Sequence, residues 1–151
     1  MLDDIYNLKI LEYAGNIPHL GKLEEPQASA KAHSRLCGST VMVEISMKDQ
    51  VVTQFAQDVK ACALGQASAA ILGQSVIGAT ADELRLAHKQ LYSMLKEGGS
   101  VPTGRFSELS FLEPVKEYRA RHASTLLAFD AVVDAIDTLE KDKSQPSEDG
   151  N

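Results

Sequence analysis

Hydrophobic and polar residues alternate between Thr40 and Val59 in a way that defines a hairpin. Val41, Val43, Ile45 and Met47 share one face of a strand over Thr40 to Met47, with Thr40, Glu44 and Ser46 opposite beside a single apolar Met42. Lys48-Asp49-Gln50 makes a short polar break. Val51, Thr53, Phe55 and Val59 then share a face of a second strand, antiparallel to the first. Elsewhere the period lengthens to that of helices. Asp4 caps a predicted helix from about Ile5 to Tyr13, with Ile5, Leu8 and Leu11 as its apolar side, Ile10 at the edge, and Ala14-Gly15-Asn16 as its stop. Ala63 to Gly73 is rich in Ala, Ser, Gly and Gln, a helix whose backbone can pack closely on a sheet. Thr80 and Glu83 form a capping box ahead of Leu84, Ala87, Leu91 and Leu95, and Gly98-Gly99 ends that helix. A last helix, from about Ser124 to Glu140, buries Leu126, Phe129, Val133 and Ile136 and leaves Asp130, Asp134 and Asp137 wet.

The connecting segments follow from composition. Asn16 to Leu36 carries Pro18, Gly21 and Pro26 among small polar residues and reads as a long loop able to cover Cys37. A Pro-, Gly- and Ser-rich loop leads to Phe111-Leu112-Glu113-Pro114-Val115. Residues 141–151 are charged, small and polar, and are expected to be a disordered tail. The expected architecture is one α+β domain over residues 1–140, a small antiparallel sheet packed on one side by helices, with no internal repeat.

A length of 151 residues suits a single core, and a net charge of -6 with scattered Lys and Arg argues against nucleic acid as a partner. No apolar run reaches membrane-span length, and the acidic start Met1-Leu2-Asp3-Asp4 lacks the charge and apolar pattern of a signal peptide, so a cytoplasmic protein is expected. No P-loop, dinucleotide-binding glycine pattern, metalloprotease motif or serine nucleophile elbow is present. Hydrolase and oxidoreductase readings rank low.

Candidate chemistry centres on the two cysteines. Cys37, followed by Gly38, precedes the first strand, and Cys62 follows the second where a helix begins. The outer ends of a hairpin meet, so the two thiols are expected at one site. A thiolate at a helix N-terminus is favoured by unpaired backbone N–H groups and the helix dipole, and the thiolate is the form that metals bind. Lys60 either adds to this or points to water. The bland alternative for Cys62 is a small buried residue in a tight helix–sheet contact. A loop position makes a core role less natural for Cys37. Among the histidines, His19 and His33 lie in the long loop, His33 four residues before Cys37. His88 shares a helix side with Leu84 and Leu91, which suits packing or a surface edge.

Several segments, in order along the chain, resemble the iron-sulfur cluster assembly scaffolds of the IscU, NifU N-terminal and SufU family. Ile5-Tyr6 through Asn16, Pro18 and His19-Leu20-Gly21 look like its opening helix and loop; Leu36-Cys37-Gly38-Ser39 resembles its cysteine-glycine-aspartate motif. Phe55 through Cys62-Ala63-Leu64-Gly65 and Ala67-Ser68-Ala69-Ala70 resembles the strand that ends in its second cysteine and the helix behind it. Arg119 to Val132 is similar to its third-cysteine region. Two ligand positions depart from the pattern. Ser39 stands where the family has aspartate, and the ungapped register puts the third cysteine at Ser124. The longer stretch between Cys62 and Ser124 looks like the SufU type. Leu112-Glu113-Pro114-Val115-Lys116 resembles the chaperone-recognition segment of IscU, with Glu113 replacing a proline; that chaperone is not carried over.

The resemblance implies a protein that binds iron or a labile iron-sulfur cluster and accepts sulfur from a cysteine desulfurase at Cys37 and Cys62, for recipient apoproteins. It implies scaffold work rather than turnover of a substrate. A cluster or tetrahedral zinc site wants about four donors. This chain offers Cys37, Cys62 and, as a third metal ligand, His122; a hydroxyl at Ser124 is a harder, weaker donor than thiolate. Water, an inorganic or partner thiolate, or a second cysteine pair across a homodimer are sources of the rest. The alternatives are a zinc-binding or persulfide-transfer adaptor in which Cys62 accepts the persulfide, and an interaction protein that forms no cluster. Arg119 and Arg121 either meet a persulfide-bearing partner or are solvated.

Overall fold

Three antiparallel strands, in the order β1-β2-β3, form the sheet in a computed structural model that describes residues 6–36 and 38–144, the last three without their side chains. Helix α1 (Leu8–Ala14) precedes β1 (Ala28–His33), β2 (Thr40–Lys48) and β3 (Val51–Lys60). Helices α2 (Ala63–Ser75) and α3 (Ala81–Lys96), a 3-10 run over Gly104–Glu117, a 3-10 turn over Arg119–Arg121, and α4 (His122–Ser144) follow. Residues 145–151, most of the expected tail, lie outside the described residues, and α4 runs four residues past the expected boundary at Glu140.

The expected α+β architecture holds, with β2 and β3 where the alternation put them. Asp49 and Gln50 join them as a two-residue turn with φ of 53° and 69°, the left-handed pair that matches strand twist. Val41, Val43, Ile45 and Met47 are all buried. In β3 the expected face fails at its start. Ser46 pairs with Gln54 and Met47 with Val52, so Thr53 is the extra residue of a bulge, and its hydroxyl donates to the Ser46 carbonyl at 3.1 Å. Val52 is therefore buried and Thr53 exposed.

Strand β1 lies inside the segment expected to be a loop. Ala28, Ala30 and Ala32 face inward between exposed Ser29, Lys31 and His33, and pair with Ile45, Val43 and Val41 of β2. Alanines carry little strand signal, but they let α4 approach β1 closely. The preceding loop closes the other edge of the sheet. His19 accepts from the Gln57 N–H at 2.9 Å and the Gly21 N–H donates to the Gln57 carbonyl at 3.0 Å, while buried Gln57 Nε2 donates to Pro18 and Ala69. Both backbone groups of Gln57 on this edge of β3 are thus paired.

Helix α1 is shifted and rotated from its expected position. Asn7 caps it, accepting from the Ile10 N–H at 3.0 Å, and Ile10 and Tyr13 are the buried residues while Leu8 and Leu11 are exposed. The Tyr13 hydroxyl bonds the Glu108 carboxylate; burial first, then that carboxylate, raises the phenol well above its ordinary range. The Pro- and Gly-rich stretch expected to be a loop is the 3-10 run. Phe106, Leu109, Leu112 and Val115 recur at every third residue and are buried, the period of a 3-10 helix. Helix α4 packs against β1, β2, α2 and α3, so its buried surface extends well beyond the expected stripe: Leu127, Ala128, Ala131, Val132 and Ala135 are buried too, and Val133 only half so. On its outer side Asp130 meets His88 Nε2 at 2.6 Å, and Glu140 and Asp137 both hold Arg85.

Candidate functional site

Strand pairing sets one end of the sheet. His33 faces Thr40 across β1 and β2, and Thr40 faces Lys60 across β2 and β3. The loop 34–39 and the residues after Lys60 therefore leave the sheet side by side. The Ser34 N–H donates to the Ser39 carbonyl at 2.9 Å and the Gly38 N–H to the Ser34 carbonyl at 2.8 Å, which closes the loop. Gly38 has φ of 72°, a conformation that glycine adopts without strain. Ser39, where the resemblance has aspartate, is buried. Cys37 itself lies outside the described residues.

Cys62 is the N-cap of α2, with φ of -69° and ψ of 173°, and its side chain makes no capping hydrogen bond. The half-buried Sγ instead lies 3.4 Å from Ser124 Oγ. Ser124 is 2% exposed, and its hydroxyl also donates to the Arg121 carbonyl at 3.2 Å. A serine has one proton to give. While it goes to Arg121, the Cys62 S–H is the donor between the pair; a thiolate would draw the serine proton to itself.

A glycine makes this contact possible. A Cβ on Gly65 would fall 2.7 Å from the Ala61 Cβ and 3.0 Å from the Ser124 carbonyl oxygen, so α2 and α4 approach here closer than side chains allow. Sequence reasoning put Gly65 in a motif and a small-residue helix without assigning it this contact. The signal available was its place three residues after a cysteine in that segment.

His122 has different surroundings. It sits two residues before Ser124, about 200° around the helix. Its Nε2 is 3.0 Å from the Val115 carbonyl and 3.1 Å from that of Lys116. Both partners are acceptors, so Nε2 carries a proton, and Nδ1 is buried without a hydrogen-bond partner. His122 is one of the residues lining a cavity, with Leu95, Lys96, Lys116 and Arg119. No hydrogen bond joins it to Cys62 among the described residues.

The remaining candidates are dispersed. His33 is exposed at the end of β1, the His19 and Phe55 rings lie nearly perpendicular with centroids 6.0 Å apart, and His88 is the helix-edge residue paired with Asp130. Among the described residues no group of three or more His, Cys, Asp or Glu could hold a metal ion. Leu112 and Val115, from the segment that resembles a chaperone motif, are core residues of the 3-10 run.

The NifU-like N terminal domain matches residues 5–141. The chain belongs to that family. A NifU-like N-terminal protein from Brucella abortus shares 59% identity and a TM-score of 0.91, covering 93% of this chain and 97% of that one. The iron-sulfur cluster assembly scaffold protein IscU of Thermotoga maritima is 23% identical over 91% of this chain and 96% of its own length. A putative SUF-system scaffold from Fervidobacterium islandicum, at 22% identity and a TM-score of 0.82, covers 89% of this chain and 98% of that one and shares the fold. Within this NifU-like chain, no helix among the described residues is long and apolar enough to cross a membrane.

Proposed function

We propose that this NifU-like chain serves iron-sulfur cluster assembly as a scaffold, receiving sulfur and holding iron or a labile cluster at Cys37 and Cys62 before passing it to recipient apoproteins. The observation that carries the proposal is the half-buried Cys62 thiol at the start of α2, uncapped and 3.4 Å from the Ser124 hydroxyl, at the sheet end from which the loop 34–39 also leaves. In this reading a cysteine desulfurase supplies sulfur as a persulfide. A Cys62 thiolate attacks the outer sulfur, the partner's S–S bond breaks, and the partner leaves as a thiolate with no net oxidation. The open amides at the first turn of α2 suit the anionic sulfur. Ser124 in place of a third thiol leaves the donor set short, so the cargo is held weakly. His122 has less support as a ligand than the two cysteines, because its hydrogen bonds and cavity neighbours belong to the 3-10 run and α3.

A second reading is favoured by the same serine. A persulfide acceptor, or an adaptor holding zinc with a partner's donors, needs fewer thiols than a cluster does, and Cys62 with a hydroxyl beside it meets that need. Anaerobic reconstitution with ferrous iron and sulfide separates the two. Sulfur-to-iron charge-transfer absorption that disappears in both Cys37→Ala and Cys62→Ala, persists in His122→Asn, and rises in Ser124→Cys is expected. Iron content equal in wild type and both alanine variants overturns the cluster reading; labelled sulfur transferred to Cys62 without iron would then leave the acceptor reading in place.

A further inference from the structure

We propose that the Ser124 hydroxyl is the hydrogen-bond donor for sulfur discharge from Cys62, stabilising the thiolate that departs when the outer sulfur of a persulfide moves to an acceptor thiol. The inference rests on the reading of Cys62 as a sulfur acceptor and adds the group that helps to empty it. Ser124 Oγ lies 3.4 Å from Cys62 Sγ, and no other side chain among the described residues hydrogen-bonds that sulfur. The serine is 2% exposed, so little water competes for its proton. That proton has a second acceptor, the Arg121 carbonyl at 3.2 Å. The same carbonyl also accepts from the fully buried Thr125 hydroxyl, at the shorter distance of 2.7 Å. One hydroxyl of the two is therefore redundant at the carbonyl, and Ser124 is the one beside the sulfur. Turning it away leaves Arg121 with a partner, and no buried acceptor is orphaned.

The chemistry calls on the serine at one stage. In a persulfide the inner sulfur, Sγ, is neutral and a weak acceptor, so the serine proton stays on the carbonyl. An incoming thiolate attacks the outer sulfur of the protonated persulfide, the S–S bond breaks, its electron pair goes to Sγ, and the outer sulfur moves with its proton to the acceptor. One thiolate is consumed and one released, with no net oxidation. Charge gathers on Sγ as the bond lengthens, and a thiolate leaves faster the better that charge is held. Rotation of the serine O–H brings its proton from carbonyl to sulfur, a hydrogen bond made in the transition state and absent before it. A hydroxyl is too weak a nucleophile to take the sulfur itself, so Ser124 assists the transfer without retaining the cargo.

The full chain carrying Cys37→Ala, with Cys62 as its single thiol, tests this after loading to the Cys62 persulfide with inorganic polysulfide, checked by intact mass. Discharge to free cysteine is followed as return of the free-thiol mass. Capping by iodoacetamide is measured in parallel; it needs the same access to the outer sulfur, which displaces iodide while the S–S bond stays intact. Adding Ser124→Ala should slow discharge about tenfold or more, the loss of one hydrogen bond to a charged sulfur, and leave capping unchanged. Adding Thr125→Val, which removes the other hydroxyl on the Arg121 carbonyl, should change neither rate. Equal discharge with and without the serine hydroxyl overturns the proposal and leaves Cys62 as an acceptor. Equal slowing of discharge and capping, or equal slowing by Thr125→Val, also overturns it and makes Ser124 a packing residue. A Cys62 that takes up no sulfur overturns the acceptor reading itself, and this inference with it.

Discussion

Two helices in this protein begin from nearly the same backbone conformation and use it differently. Thr80, before α3, has φ of -87° and ψ of 161°; Cys62, before α2, has φ of -69° and ψ of 173°. At α3 the Thr80 hydroxyl accepts from the Glu83 N–H at 3.0 Å and the Glu83 carboxylate accepts from the Thr80 N–H at 2.9 Å, so two open donors are satisfied. The Ala81 N–H donates to Gln50 at the β2–β3 turn, tying that helix start to the far end of the sheet. At α2 no side chain caps the helix, its first turn has no acidic residue, and the thiol turns to Ser124 instead. Hydrogen bonds stabilise the α3 start, while burial holds the α2 start, where Leu64, Ala67 and Ser68 are fully buried. The contrast is between a terminus closed for stability and one left open where sulfur chemistry is proposed.

Crowding the open terminus should have the largest effect. In Gly65→Val the Cβ alone meets Ala61 and the Ser124 backbone at 2.7 and 3.0 Å, so α2 and α4 must part. Overpacking of this kind costs about 1–3 kcal/mol, and the better helix propensity of valine returns only a few tenths. Thermal unfolding should fall by about 2–4 °C for each kcal/mol. A variant as stable as wild type would show that the two helices are not held at this contact.

Much of the fold was legible because its signals were local. The strand alternation from Val41 to Met47 and the Thr80-x-x-Glu83 box needed only neighbouring residues, and both are present as expected. The misses have tertiary causes. Strand β1 consists of Ala28-Ser29-Ala30-Lys31-Ala32-His33, weak strand formers held by pairing with β2 and packing on α4. In α1, Leu8 and Leu11 looked like the buried side, but the N-cap falls at Asn7 and the packing neighbours select Ile10 and Tyr13. The three-residue spacing from Phe106 to Val115 was visible, yet Pro and Gly around it read as loop. At the site, the family register pointed to Ser124, which the structure sets beside Cys62. His122 was named for its proximity along the chain. Helix geometry, which carries it around to the 3-10 run, was the missing step.

Exchanging the capping chemistry of the two termini should give smaller and opposite effects. Thr80→Ala removes a side-chain cap and should cost about 1 kcal/mol. Cys62→Ser supplies a hydroxyl at an N-cap that lacks a side-chain bond and should gain a few tenths to about 1 kcal/mol while abolishing iron and sulfur binding. Denaturant midpoints of the two variants, read with iron content, check the pair. A destabilised Cys62→Ser with Thr80→Ala unchanged would invert the comparison.

The smallest effect separates the termini by pH. The hydrogen bond from the Thr80 N–H, helped by the Arg105 guanidinium 3.3 Å away, holds the Glu83 carboxyl below its ordinary range, and partial burial opposes the shift without cancelling it. A carboxyl whose folded value is depressed stabilises the fold fully above its unfolded value and loses that contribution as pH falls through the folded one. Glu83→Gln should therefore narrow its stability gap to wild type as pH drops below about 4.5, the loss of the charged cap being felt only where wild type is ionised. Denaturant midpoints at neutral pH and at several values below about pH 4.5 read this directly. The α2 start has no carboxylate in its first turn, so Cys62→Ser should run parallel to wild type over that same acid window. A Glu83→Gln curve that also runs parallel would mean that the capping carboxylate contributes the same in its charged and protonated forms, and the two helix starts would no longer differ in electrostatics.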